Sequence, residues 1–103
     1  MINVEGSQAQ TLLKNPETFI LDVRTLPEHQ AQALSRSVLI PIDELALRLD
    51  ELPTNRQVPI LIYCAHGVRS VYGAQILEQN KYSQVFNLRG GLAVHFEEIN
   101  SHL

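Results

Sequence analysis

The stretch YCAHGVRS, residues 63–70, contains Cys64, the only cysteine of the chain. An apolar run precedes it and a helical pattern begins at about Ser70, so the thiol is expected where a strand passes into a helix. A helix N-terminus carries about half a positive charge and several unpaired N–H groups. Such surroundings lower the pKa of a cysteine from about 8.5 to between about 3.5 and 7.5. The spacing therefore favours a nucleophilic thiolate.

The residues between the cysteine and the helix also favour negative charge at the sulfur. Gly67 permits a positive φ, so the amides of residues 65–69 are expected to turn inward as an anion-binding nest. His66 and Arg69 add a hydrogen-bond donor and a cation nearby. A lone cysteine after an apolar strand is, however, most often a small buried hydrophobe. The glycine, the arginine and the helix start close behind it favour the catalytic interpretation.

The elements that must position this loop follow from the alternation of short apolar runs with helical patterns. That alternation predicts an α/β domain with a small, mostly parallel sheet. The predicted strands are residues 2–4, 19–23, 38–40, 58–63 and 84–87. The predicted helices are residues 7–15, 27–34, 43–52, 70–80 and 92–99, with Ser7 and Gln10 as a capping box and Asp43 as a cap. Ligands of such sheets bind beyond the carboxyl ends of the strands, where Cys64 is expected.

The bulk properties exclude several other classes of protein. The 103 residues suffice for one core, so a single domain over 1–103 is expected, and 45% hydrophobic and 18% charged content is typical of a soluble globular protein. A net charge of −3 argues against a nucleic-acid binder. Neither a membrane span nor a signal peptide is visible, and no metal-ligand spacing occurs. A reduced thiol in the cytoplasm, without nucleic-acid or membrane partners, is expected.

Four segments resemble, in order, the motifs of rhodanese-like domains, a family of sulfurtransferases. CAHGVRS (64–70) is similar to the C-x-x-G-x-R-S active-site loop. ILDVRTLPEH (20–29) resembles the strand with D-V-R and a following glutamate, here Asp22, Arg24 and Glu28. IPIDEL (40–45) resembles N-I-P-L-x-x-L, and VFNLRGGLAVHF (85–96) resembles V-x-x-L-x-G-G-h-x-x-W. The resemblance implies the rhodanese-like fold, in which about five strands are flanked by helices on both faces.

The resemblance also implies a two-step sulfur transfer without metal or organic cofactor. Cys64 would attack the outer sulfur of thiosulfate or another sulfane donor, release sulfite and become a persulfide. A thiophilic acceptor such as cyanide, a small thiol or a protein thiol would then take that sulfur. The implied substrate-binding loop is Ala65, His66, Gly67, Val68, Arg69 and Ser70.

The supporting charged residues have two interpretations each. Arg69 either contacts the anionic donor or pairs with Asp22, and the pair is favoured because a buried carboxylate needs a partner. Arg24 and Arg89 follow strand ends on the presumed active face, where they either support an anion or are merely solvated. His66 either recruits an anion or has no role. The remaining histidines are interpreted as surface or packing residues: His29, His95 and His102.

The chain departs from the family pattern between Glu28 and residue 40. The family usually has G-H-I-x-G-A there. This chain has Gln32 and Ala33 in place of the glycine and histidine, and Arg36 and Ser37 in place of the glycine and alanine. The loop is expected to shape the rim of the pocket. His95 also stands where the family often has tryptophan.

Two other functions compete with thiosulfate sulfurtransferase. A cysteine-dependent phosphatase or arsenate reductase has five residues between cysteine and arginine. This chain has only residues 65–68 there, and the shorter ring leaves less room for a tetrahedral oxyanion. The other alternative is a persulfide carrier or a non-catalytic binding module that acts with a protein partner.

Overall fold

The computed structural model describes residues 1–100 and contains one five-stranded sheet. The strands are β1 (Ile2–Val4), β2 (Phe19–Asp22), β3 (Val38–Leu39), β4 (Ile60–Tyr63) and β5 (Val85–Leu88). They lie in the order β1-β5-β4-β2-β3, and every neighbouring pair is parallel. β4 is central, so the strand that leads into the cysteine is buried on both sides. The predicted α/β class and parallel sheet are confirmed.

Within residues 1–100, four α-helices lie between the strands and a fifth follows β5: α1 (Gly6–Lys14), α2 (Leu26–Ala31), α3 (Ile42–Leu45), α4 (Arg69–Gln79) and α5 (Gly91–Asn100). A short 3-10 helix follows α3 at Leu49–Glu51. α1 packs with α5, and α3 packs with α4. In residues 1–100 no helix is both long and apolar enough to cross a membrane.

The side chains of β4 alternate between two cores, one on each face of the sheet. Ile60, Ile62 and then Cys64 belong to the core that α3 and α4 cover. Leu61 and Tyr63 belong to the core that α1 and α5 cover. Successive side chains of a strand point to opposite faces. This alternation therefore turns the thiol toward the face on which α4 begins.

The prediction of one helix over residues 43–52 is wrong. α3 ends at Leu45, Leu47 is 85% exposed, and the chain re-forms only a 3-10 turn at Leu49–Glu51. Leucines at 45, 47 and 49 recur every second residue, whereas one face of a helix needs spacings of three and four. The cap is also different, because Pro41 and not Asp43 precedes the first helical residue.

The predicted capping box of α1 lies two residues too far along the chain. The helix begins at Gly6, and Gln8 Oε1 accepts a hydrogen bond from Glu5 N at 2.8 Å. Ser7 therefore lies inside the first turn, where its carbonyl oxygen accepts from Thr11 Oγ1. The sequence pattern did not predict a glutamate as the N-cap, because Ser, Thr, Asp and Asn are the usual N-cap residues.

Candidate active site

The cysteine loop occupies the turn between β4 and α4. Cys64 directly follows β4, and α4 begins at Arg69, one residue earlier than predicted. Gly67 adopts φ +89°, as expected from its place in a tight loop. Because this φ is strained for residues with a Cβ, glycine is required where the chain reverses toward the helix.

Three hydrogen-bonding groups surround the Cys64 sulfur. Gly67 N donates to Sγ at 3.0 Å, and Ser70 N donates at 3.4 Å. The Ser70 hydroxyl oxygen lies 3.3 Å from Sγ, within hydrogen-bond reach of sulfur. The Gly67 amide belongs to the predicted nest of residues 65–69 and faces the sulfur, whereas Ser70 lies outside that range. The side-chain contribution comes from Ser70.

The Cys64 sulfur is more deeply buried than the loop motif suggested, because the residue is only 1% exposed. This burial raises the pKa of Cys64. The hydrogen bonds from the Ser70 hydroxyl and from the amides of Ser70, His66 and Gly67 lower that pKa by more. The net result is a pKa below the ordinary value of a thiol, because hydrogen bonds to the anion outweigh the loss of water.

The first turn of α5 is hydrogen-bonded to the cysteine loop. Leu92 N donates to the carbonyl oxygen of Cys64 at 2.9 Å, and Ala93 N donates to that of Ala65 at 3.0 Å. Gly91 lies so close that a Cβ there would be 2.3 Å from the Ala65 carbonyl oxygen. The glycine before the last helix thus contacts the cysteine loop, a contact that sequence spacing alone does not indicate.

Arg69 pairs with Glu28, so the expected pair with Asp22 is wrong. Arg69 Nη1 donates to Glu28 Oε1 at 2.8 Å, and Nη2 donates to Oε2 at 2.9 Å. The hydrogen bonds from Arg69 are the main cause that lowers the pKa of Glu28 to about 2. The family motif identifies Glu28, but the spacing of residues along the sequence does not show which arginine forms the ion pair with it.

Asp22 is instead held by Arg24, and both side chains are buried. Arg24 donates from Nε and Nη2 to the two carboxylate oxygens at 2.9 and 2.7 Å. The Tyr63 hydroxyl donates to Asp22 at 3.1 Å, and His29 Nδ1 lies 2.8 Å from the same oxygen. Burial raises the pKa of Asp22, but the bonds from Arg24 and His29 lower it further than burial raises it. Arg24 is therefore a structural partner.

The remaining candidate cations and histidines lie in different surroundings. His66 and Arg89 are exposed, and the side chain of Arg89 makes no hydrogen bond or ion pair within residues 1–100. His29 has a partner that sequence did not indicate. His95 is buried and its Nε2 lies 2.7 Å from the Arg89 carbonyl oxygen, which confirms its packing role. His102 lies outside the described residues.

The altered loop at residues 32–37 packs on the face of the sheet opposite the thiol, where Leu34 belongs to the core that α1 and α5 cover. Its hydrogen bonds go to that side of the molecule, and its role at the rim of the pocket stays a prediction. Arg36 adopts φ +55° where the family has glycine, and its guanidinium donates to the carbonyl oxygens of Leu13, Asn15 and Thr18. Ser37 Oγ lies 3.1 Å from the Tyr63 hydroxyl oxygen, and the Gln32 carbonyl oxygen accepts from Arg24. Ala33, the remaining altered position, is partly buried.

No group of three or more metal-ligating side chains occurs in the described part of the chain. The site is therefore a single buried thiol within a ring of hydrogen-bond donors at the carboxyl end of a central strand. Such an arrangement stabilises a sulfur anion and binds a small electronegative atom placed beyond it.

Comparison with known proteins places this site in a family. Residues 5–95 match the rhodanese-like domain. A "Sulfurtransferase" of Allochromatium vinosum is 33% identical over 94 residues, which cover 89% of this chain and 86% of that protein. The chain therefore belongs to the rhodanese-like domain family.

Two further similarities show how the domain is used elsewhere. The crystal structure of a rhodanese-related protein from Thermoplasma volcanium has a TM-score of 0.83 and 26% identity, and the match covers 95% of this chain and 93% of that one. A "tRNA uridine(34) hydroxylase" of Erwinia tasmaniensis is 24% identical over 93 residues. The match covers 86% of this chain but only 27% of that protein. The domain thus also occurs as a part of larger enzymes.

Proposed function

We propose that the chain is a sulfurtransferase that moves sulfane sulfur from thiosulfate or a persulfide donor to a thiophilic acceptor. The observation that carries the proposal is the set of hydrogen-bonding groups around the Cys64 sulfur, which are the amides of Gly67 and Ser70 and the Ser70 hydroxyl. They favour the thiolate, which is the attacking form of cysteine. The named sulfurtransferase relative supports the same reaction class.

In the proposed first step, the Cys64 thiolate forms a bond to the outer sulfur of the donor. The S–S bond of the donor breaks, and its electron pair leaves with sulfite or with the donor's thiolate. The terminal sulfur of the Cys64 persulfide would then meet the loop amides of residues 65–69. A thiolate or cyanide removes that sulfur in the second step, and Cys64 returns as a thiolate.

Mass spectrometry of the intact protein tests this proposal. Brief incubation with thiosulfate should add the mass of one sulfur atom, and a following pulse of cyanide should remove it as thiocyanate. Cys64→Ser should show neither change. Unmodified wild-type protein after exposure to thiosulfate and to a persulfide donor would contradict the proposal.

A persulfide carrier that acts with a protein partner is the second candidate. It is supported by the burial of the sulfur and by exposed apolar side chains beside the loop, Val68 at 64% and Tyr72 at 61% exposed. Such a carrier should accept sulfur on Cys64 from a cysteine desulfurase but turn over thiosulfate slowly. A cytoplasmic location agrees with either role and stays part of the proposal.

A further inference from the structure

The guanidinium of Arg69, the arginine of the cysteine loop, is already occupied. Its two Nη atoms donate to the two carboxylate oxygens of Glu28 at 2.8 and 2.9 Å. Glu28 lies in α2, which follows β2, so this ion pair lies on the β2 side of the loop. Arg24, the other arginine after β2, is buried against Asp22. Among residues 1–100, an anion that approaches Cys64 therefore meets no free guanidinium on that side.

Arg89 lies beside Cys64 on the other side of the loop. β4 and β5 are parallel neighbours about 4.8 Å apart, and Ile62 is paired with Asn87. Two residues further along each chain, the same register brings Cys64 and Arg89 to the same level. Arg89 N also donates to Val4 O at 3.0 Å, so the hydrogen bonding between β5 and β1 continues through this position. The register thus places Arg89 next to the cysteine at the carboxyl edge of the sheet.

The side chain of Arg89 shares a face of the sheet with the thiol. Val85, four residues earlier on β5, belongs to the same core as Cys64, whereas Leu88 belongs to the opposite core. Because side chains alternate between the two faces along a strand, Arg89 is directed to the face of Val85 and Cys64. Arg89 is exposed, and its guanidinium makes no hydrogen bond or ion pair within residues 1–100. A free cation therefore lies on the thiol's side of the sheet.

The backbone of Arg89 is fixed by a buried histidine. His95 is 6% exposed, and its Nε2 lies 2.7 Å from the Arg89 carbonyl oxygen. The next residue, Gly90, contacts the cysteine loop, since a Cβ on Gly67 would be 3.0 Å from Gly90 N. The turn that carries Arg89 is therefore held to α5 on one side and packed against the cysteine loop on the other.

We propose that Arg89, rather than the loop residue Arg69, makes the Cys64 site selective for anionic reactants. The inference rests on the proposed function and names the specificity-determining residue of that site. The charged group of the reactant lies beside β5, between Arg89 and the start of α4, while its reacting atom meets the sulfur. A guanidinium that no carboxylate holds attracts such a group without first breaking an ion pair.

Alkylation by iodoacetate and by iodoacetamide tests the inference without requiring sulfur transfer. The two reagents differ only in that one has a carboxylate where the other has a neutral amide. In both reactions the Cys64 thiolate forms a C–S bond, and iodide leaves with the electron pair of the C–I bond. The ratio of the two rate constants at one pH does not depend on the fraction of thiolate, so a change in the pKa of Cys64 leaves this ratio unaltered.

Arg89→Gln should lower the ratio of the iodoacetate rate to the iodoacetamide rate between about twofold and fivefold, which is the size expected for one exposed ion pair. Arg89→Lys keeps the charge and should retain most of the wild-type ratio. Because salt screens exposed charges, higher ionic strength should bring the wild-type ratio toward that of Arg89→Gln. With thiosulfate as donor and cyanide as acceptor, Arg89→Gln should raise KM for thiosulfate by a similar factor and leave kcat unchanged.

Lys14→Gln is the matched control, because it removes the same charge at the other edge of the sheet. Lys14 is exposed and is the last residue of α1, which leads to the amino end of β2. Its alkylation ratio and its KM for thiosulfate should equal those of wild type.

Three results would overturn the inference. The first is an unchanged alkylation ratio in Arg89→Gln, and the second is an equal fall of the ratio in Lys14→Gln. The third is failure of both reagents to modify wild-type Cys64, because selectivity requires access to the sulfur. If no sulfur donor loads Cys64 while the alkylation ratio falls as expected, the proposed function is contradicted and the role of Arg89 in anion selectivity stands.

Discussion

The Cys64 thiol is subject to two opposing effects, burial and hydrogen bonding. Burial at 1% exposure disfavours the anion, whereas Gly67 and Ser70 offer it three hydrogen-bonding groups. A hydrogen bond to a charged group contributes about 1.5–3 kcal/mol, so each donor matters at this scale. Ser70 is the side chain in this set, and it is the second residue of α4.

Replacing Ser70 by alanine should raise the pKa of Cys64 by about one unit, because one unit corresponds to about 1.4 kcal/mol. The measurement is the pH dependence of the rate at which iodoacetamide alkylates Cys64. Because only the thiolate reacts, the rate should rise with pH, and its midpoint should move upward in the variant.

Ser83→Ala is the matched control for this change. Ser83 is exposed, and its hydroxyl donates to the Arg56 carbonyl oxygen at 3.3 Å. Its alkylation midpoint should equal that of wild type. An unchanged midpoint in Ser70→Ala would show that the hydroxyl does not stabilise the thiolate.

At the scale of elements, the start of α5 acts as the support of the cysteine loop. The first turn of α5 donates to the carbonyl oxygens of Cys64 and Ala65 and so holds the first two peptide groups of the loop in place. Gly90 and Gly91 adopt φ +80° and +77° and allow this close contact. A central strand, an N-terminal turn of α4 and a supporting turn of α5 together fix the site.

Gly91→Ala should loosen this support. The new Cβ would clash with the Ala65 carbonyl oxygen at 2.3 Å, and the positive φ adds a cost of about 1–2 kcal/mol. We expect a lower midpoint of urea unfolding together with slower alkylation of Cys64 at pH 7. In the matched change Gly6→Ala, the atoms nearest the new Cβ belong to the flexible carboxylate of Glu98, so this change should cost less. Equal losses in both variants would contradict a specific role for Gly91.

At the scale of the whole molecule, a buried polar cluster on the face opposite the thiol ties the elements together. Asp22 on β2 accepts hydrogen bonds from Arg24 and from Tyr63 of β4. His29 of α2 places its Nδ1 atom 2.8 Å from an Asp22 carboxylate oxygen. Removing one partner of a buried pair leaves an uncompensated charge. The cluster therefore contributes to stability rather than to chemistry.

Asp22→Asn should destabilise the protein by about 3–5 kcal/mol, because Arg24 would remain buried without its counter-charge. The free energy of urea unfolding at pH 7 measures this loss. Asp43→Asn, at an exposed position, should change it by less than about 0.5 kcal/mol. A loss of similar size in both variants would contradict the importance of the pair.

The pH dependence of stability gives the same cluster a second test. The folded-state pKa of Asp22 lies below its unfolded value of about 3.9. Its stabilisation is therefore fully present above that unfolded value and is lost as the pH falls through the folded pKa. Wild type should lose stability in this acid range more steeply than Asp22→Asn. Parallel stability curves for the two proteins would contradict this prediction.

The strands of the sheet and the position of the thiol could be predicted from the sequence, because apolar runs and turn residues are local signals. The alternation along β4 even sets the side to which Cys64 points. Local signals did not show the partners of charged residues, since Glu28 and Arg69 are 41 positions apart. Nor did they show that Arg36 would adopt a positive φ and bind the end of α1, because the loop was interpreted from a family pattern that it lacks.

The thiolate of Cys64 is the state on which the proposed chemistry depends. Direct titration of that thiol in the intact protein, followed by thiolate absorbance in the ultraviolet, is the most direct measurement, with Cys64→Ala as the blank. We expect a midpoint below about 8.5, the value of a free cysteine. A midpoint at or above that value would show that burial outweighs the loop's hydrogen bonds and would contradict the proposed nucleophile.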